Sequence, residues 1–168
     1  MPFLPYSTQH FIPGEVSHLY NRAYEKGALV CYSEDNFESF LRRYFERLAD
    51  YCDIYAYCIL PYHYHFDVRI KDTGTILQAA ARDLKQLSKD TLRQLGLAED
   101  HSKEIRYYLT IEDENLTKKI VLWAISEQFR HFNMSYVKAL NKQINRRGSL
   151  IQKRFRRKLF RGIEDIQR

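Results

Sequence analysis

Two histidines one residue apart, His63 and His65, lie in a stretch whose odd positions are all polar: His63, His65, Asp67 and Arg69. The even positions, Tyr64, Phe66, Val68 and Ile70, are all apolar or aromatic. Alternation with period two predicts a strand over 63–70, in which residues two apart share a face. One face then enters a core. The other presents two imidazoles, a carboxylate and a guanidinium. Neutral imidazoles at i and i+2 can converge on one divalent cation, with Asp67 as an oxygen donor on the same face. Imidazole suits Mn, Co, Ni or Zn and tolerates Mg less readily. A metal beside a basic groove suits phosphodiester chemistry, where the ion polarises a phosphate oxygen. The spacing alone leaves a second reading open, because strand histidines also pack or bond to water.

A basic segment is available. Residues 138–168 carry eleven Lys/Arg against two acidic residues, Glu164 and Asp165, while the rest of the chain has 16 basic and 19 acidic residues. A mildly acidic body with a basic end points to a polyanionic partner. The alternative is a solvated tail, but Leu150, Ile151, Phe155, Leu159 and Phe160 are interleaved with the charges, and a plain tail has no use for them.

The elements that position these residues are legible in outline. Length and composition (168 residues, 45% hydrophobic, 29% charged) fit one domain, 1–168, with a real core. No apolar run reaches the length of a membrane span and the N-terminus lacks a signal-peptide pattern, so a cytoplasmic protein without membrane contact is expected. Cys31, Cys52 and Cys58 are odd in number and lack C-x-x-C spacing, which predicts reduced, mostly buried thiols. Val16–Ala23 reads as a first strand. Ser33 is a candidate N-cap for an amphipathic helix over 34–50, and Ile54–Leu60 reads as a second strand. A helical pattern runs from Ile76 to Leu95, with a short strand at 105–109. A long helix follows from about Leu116 to Asn145, and a last strand spans 157–161. Strand, helix, strand, turn, strand, helix predicts an α+β fold. A ferredoxin-like antiparallel sheet with helices on one face fits best and leaves the histidine row on the other.

Several of these segments together resemble a known family. Leu60-Pro61-Tyr62-His63-Tyr64-His65 is similar to the histidine–hydrophobic–histidine (HUH) motif of single-strand endonucleases. His18-Leu19-Tyr20-Asn21-Arg22 resembles the first strand of the REP-associated tyrosine transposases, and Ala56-Tyr57-Cys58-Ile59-Leu60-Pro61 the strand entering their motif. Arg147-Gly148-Ser149-Leu150-Ile151-Gln152-Lys153-Arg154-Phe155 resembles their glycine-to-arginine-phenylalanine segment. The match covers roughly 16–71 and 123–161. It implies a transposase that nicks and joins single-stranded DNA near hairpins. A tyrosine attacks a phosphate activated by Mg or Mn, the metal being held by His63 and His65. The residues expected to contact DNA are Arg22, Arg146, Arg147, Gln152, Lys153, Arg154, Arg156, Arg157 and Lys158, and a monomer or homodimer is expected. Aromatic residues on the strands, Tyr20, Tyr24, Tyr55 and Tyr57, are platforms for unpaired bases or members of the core.

The sequence departs from the family pattern in three places. Tyr62 replaces an asparagine before the first histidine. Residues 72–115 form an inserted, partly helical segment where the family has a short connection. The family's late helix, with its Tyr-x-x-x-Asn nucleophile and third metal ligand, falls after Arg168, so neither residue has a matching position here. Tyr136 on the long helix is a weak substitute nucleophile, with Asn141 as a weak third ligand beside Asp67. Tyr136 also lies on the helix's apolar stripe, which is the pattern of a core tyrosine. Tyr107 and Tyr108 are weaker still. Two other functions stay open: a module that binds hairpin or single-stranded DNA without cutting, and a metal-dependent nuclease that uses water.

Overall fold

Tertiary architecture was taken from a computed structural model that describes residues 11–84, 114–153 and 155–160. The first strand, β1 (Val16–Arg22), buries Ser17, Leu19 and Asn21 and turns Val16, His18 and Tyr20 to the other face. Helix α1 (Glu34–Leu48) begins where Ser33 accepts the Asn36 N–H from an extended backbone, and Glu34 and Asp35 sit in its first turn. Its buried residues Asn36, Phe40, Tyr44 and Leu48 recur every four positions and form one stripe. Strands β2 (Cys52–Ile59) and β3 (His63–Ile70) form a hairpin closed by a hydrogen bond from the Leu60 N–H to the His63 carbonyl.

Helix α2 (Thr73–Leu84) starts three residues earlier than its apolar pattern predicts. Asp72 caps it, accepting from both the N–H and the hydroxyl of Thr75. The expected continuation to Leu95, the strand at 105–109 and the tyrosines Tyr107 and Tyr108 lie outside the described residues. Helix α3 (Glu114–Gln143) is the long one. It packs against α1 and α2, and Asn36 donates to Gln143 across the α1–α3 seam at 2.8 Å.

Within the basic segment, the described residues 150–153 and 155–160 run along the sheet. After α3 the chain turns through Asn145 and Gly148, both with positive φ. Leu150 and Ile151 are then fully buried, and Ile151 bridges Ala23 in antiparallel fashion. Strand β4 (Arg156–Leu159) continues alongside β1, pairing Ser17 with Leu159 and Tyr20 with Arg156.

The result is a four-stranded antiparallel sheet in the order β2-β3-β1-β4. With α1 crossing from β1 to β2 and the helical segment from β3 to β4, this is the ferredoxin-like α+β arrangement. The helices cover one face. There Phe66 stacks on Tyr44 at 4.5 Å, and Phe40 meets Tyr136 edge-on at 4.7 Å and Phe132 at 4.8 Å. These offset and edge-to-face contacts are the preferred geometries of aromatic pairs. The face carrying His63, His65 and Asp67 stays partly exposed.

Candidate functional site

Register decides what lies beside the histidine pair. β1 runs antiparallel to β3 with His18 opposite Asp67, Tyr20 opposite His65 and Arg22 opposite His63. On the far side of β1, β4 places Lys158 opposite His18 and Arg156 opposite Tyr20. Directly paired residues share a face. The open face is therefore a lattice of imidazoles bordered by Arg22, Arg156 and Lys158, all exposed or partly so.

The rings are in contact. His63 and His65 stand 5.1 Å apart, centroid to centroid, with their planes at 80°. Tyr20 stacks on His65 at 5.6 Å with planes 11° apart. His18 Nδ1 donates to Asp67 Oδ1 at 2.6 Å, and His18 Nε2 lies 2.9 Å from His65 Nδ1. The edge of Phe160 closes over His18 at 6.2 Å. Partial burial holds the His65 pKa below the usual imidazole range. The neighbouring His18 and His63 push the same way, and Asp67 opposes them. The neutral form so favoured is the one that binds metals.

His63 and His65 fit as two nitrogen donors for a divalent ion. Among the described residues, no three His, Cys, Asp or Glu side chains form a group that could hold a metal. Asp67 has one oxygen committed to His18. Asn141 donates its amide to the Gly148 carbonyl at the end of α3, in the turn that leads to β4.

Tyr136 is 1% exposed, sits among the helices and donates its hydroxyl to the Val30 carbonyl at 2.6 Å. Burial raises its pKa above that of a free phenol. It is therefore placed as a core tyrosine on the helical side of the sheet.

The candidate DNA contacts divide by position. Arg22, Arg156 and Lys158 border the histidines. Gln152 and Lys153 line a depression with Tyr24 and Ser149 at the end of β1. Arg147 is exposed. Arg146 pairs with Glu25 at 3.2 Å and reaches the Ser149 carbonyl. Arg157 is on the other face, buried, with its guanidinium 4.4 Å over the Phe11 ring. Arg154 lies outside the described residues.

Two residues at the site were not expected there from the sequence. His18 is the partner of both His65 and Asp67. The signal that could have found it is the shared parity of His18, Tyr20 and Arg22 in the first strand. The other is Cys58, which is exposed rather than buried as expected. A β-bulge between Ile54 and Ala56 shifts the strand's parity. Ala56 and Cys58 thus pair with Asp67 and His65 on the open face, while Tyr57 turns back toward Phe37 and Phe66.

No family model matches the chain, and no curated protein is similar to it in sequence. Its fold is similar to a solved structure of a REP-associated tyrosine transposase bound to a REP hairpin. The TM-score is 0.51 at 11% identity, and the match covers 98% of this chain and 67% of that one. No described helix is long and apolar enough to cross a membrane.

Proposed function

We propose that this chain is an HUH-type domain that binds single-stranded or hairpin DNA across the open sheet face and takes part in nicking and joining it. The observation that carries the reading is the placement of His63 and His65, side by side on that face and bordered by Arg22, Arg156 and Lys158. Cations on a sheet face hold phosphates, and the ring of Tyr20 offers a stacking surface for a base. The fold-level likeness to a transposase that binds a hairpin supports the same class of ligand.

His63 and His65 would hold Mn or Mg, which when bound polarises a phosphate oxygen. Imidazole donors favour Mn of the two. In a nicking step of this class a tyrosine oxygen bonds to phosphorus, the 3′ oxygen leaves, and a proton passes to it. The burial of Tyr136 makes it a poor source of that oxygen. This burial also favours a second reading, a domain that recognises hairpin DNA without cutting it.

A gel-shift and denaturing-gel experiment separates these readings. The protein is incubated with a hairpin oligonucleotide carrying a single-stranded flank, with Mn. A retained complex and a denaturation-resistant adduct, the adduct absent in His63→Ala and His65→Ala, is the result expected for the transposase reading. A complex without an adduct supports the binding module. A free 5′-phosphate without an adduct supports a water-using nuclease. Failure either to retain or to cut any DNA refutes all three.

A further inference from the structure

We propose that His18 and Asp67 are positioning residues that hold His65 as its Nδ1–H tautomer, leaving Nε2 of His65 unprotonated and available to a divalent cation. The inference rests on the reading of His63 and His65 as metal donors and adds the machinery that prepares one of them.

The protons can be counted along one hydrogen-bonded chain. Asp67 Oδ1 lies 2.6 Å from His18 Nδ1. An ionised carboxylate only accepts, so with both rings neutral the single proton of His18 must be on Nδ1. His18 Nε2 is then a lone pair. It lies 2.9 Å from His65 Nδ1, which must therefore carry the proton. The remaining nitrogen of His65, Nε2, has none. Free imidazole interconverts between the two tautomers, and this chain of contacts selects one.

The surroundings support the assignment. Tyr20 stacks flat on His65 and restrains rotation of the ring, and Phe160 does the same for His18 from its edge. A metal-binding histidine commonly gives its other N–H to an oriented acceptor, and losing that acceptor weakens metal binding. Here the acceptor is a second histidine, itself fixed by a carboxylate. This also assigns Asp67 a role other than direct ligation.

The test begins on metal-free protein. Long-range proton–nitrogen correlation NMR at mildly alkaline pH reads each ring's tautomer directly. Wild-type His65 is expected to show a protonated Nδ1 and an unprotonated Nε2. In Asp67→Ala, where nothing holds the His18 proton on Nδ1, the His65 tautomer is expected to mix or reverse. Calorimetric titration with Mn alone gives the second readout. Affinity is expected to fall about 10- to 100-fold in Asp67→Ala and His18→Phe. Most of it should return in His18→Gln, whose amide can face His65 with its oxygen and Asp67 with its N–H. Circular dichroism and melting curves establish that each variant is folded.

A protonated Nε2 on wild-type His65 overturns the proposal, and so does unchanged Mn affinity in folded Asp67→Ala. A wild-type protein that takes up no Mn counts against the metal-donor reading of His63 and His65. The tautomer, read without metal, still decides the relay.

Discussion

Arg156, Arg157 and Lys158 are consecutive and carry the same charge, yet the sheet sends Arg157 to the helical side and its neighbours to the open face. This gives a sharp prediction. Replacing Arg22, Arg156 and Lys158 together with Gln removes three cations from the face that carries the histidines. Each lost phosphate contact flattens the plot of log binding constant against log salt by ~0.7 for single-stranded DNA. Three contacts amount to a change in slope of about 2, worth roughly 20-fold in affinity across a fourfold change in salt. Arg157→Gln is the internal control. It removes one formal charge of equal sign from the same strand, but from a guanidinium packed on Phe11. Its expected effect is a lower melting temperature with the salt slope unchanged. The assay is fluorescence anisotropy of a labelled hairpin oligonucleotide with a single-stranded flank, repeated at several salt concentrations. An Arg157→Gln slope change as large as that of Arg156→Gln would refute the assignment of DNA to the open face. So would a triple variant with the wild-type slope.

Three further perturbations test the structure at other points. Tyr136→Phe deletes the bond to the Val30 carbonyl and is expected to cost about 1 kcal/mol in a denaturant melt. The yield of any protein–DNA adduct should stay unchanged, and selective loss of adduct would place Tyr136 in the chemistry. Ser33→Ala removes the α1 cap and should cost about 1 kcal/mol in the same melt, whereas Ser33→Gly should cost only a few tenths. Asp72 accepts two hydrogen bonds from Thr75, which hold its carboxyl below the usual carboxylate range. Its contribution is present above the unfolded-state pKa of 3.8 and is lost as pH falls through the lower folded value. The melting-temperature advantage of wild type over Asp72→Ala should therefore shrink with acidification below that point. An advantage that grows would reverse the sign of the linkage.

Local features were the legible ones. The strand 63–70 was readable to the residue, because alternation needs only the pleat of a single strand. The start of α1 was readable because Ser33 and two acidic residues satisfy the helix end locally. The start of α2 was missed because Asp72-Thr73-Gly74 looks like a break, although Asp72 in fact caps that helix. The order of elements implied the ferredoxin-like sheet, since antiparallel strands linked by short turns and helical crossovers have few arrangements.

The site is different. His63, His65 and Asp67 share a face by spacing alone, and this much the sequence determined by itself. Asp67 meets His18 because β1, 49 residues away in the chain, brings an imidazole within 2.6 Å of it. The bulge at Tyr55 put Cys58 beside His65, and the parity of β4 took Arg157 away from the open face while keeping Arg156 and Lys158 there. Strand register and bulges are set by the packing of whole sheets, and no local pattern carries them. The histidine pair was written in the sequence; the tertiary structure supplied its neighbours.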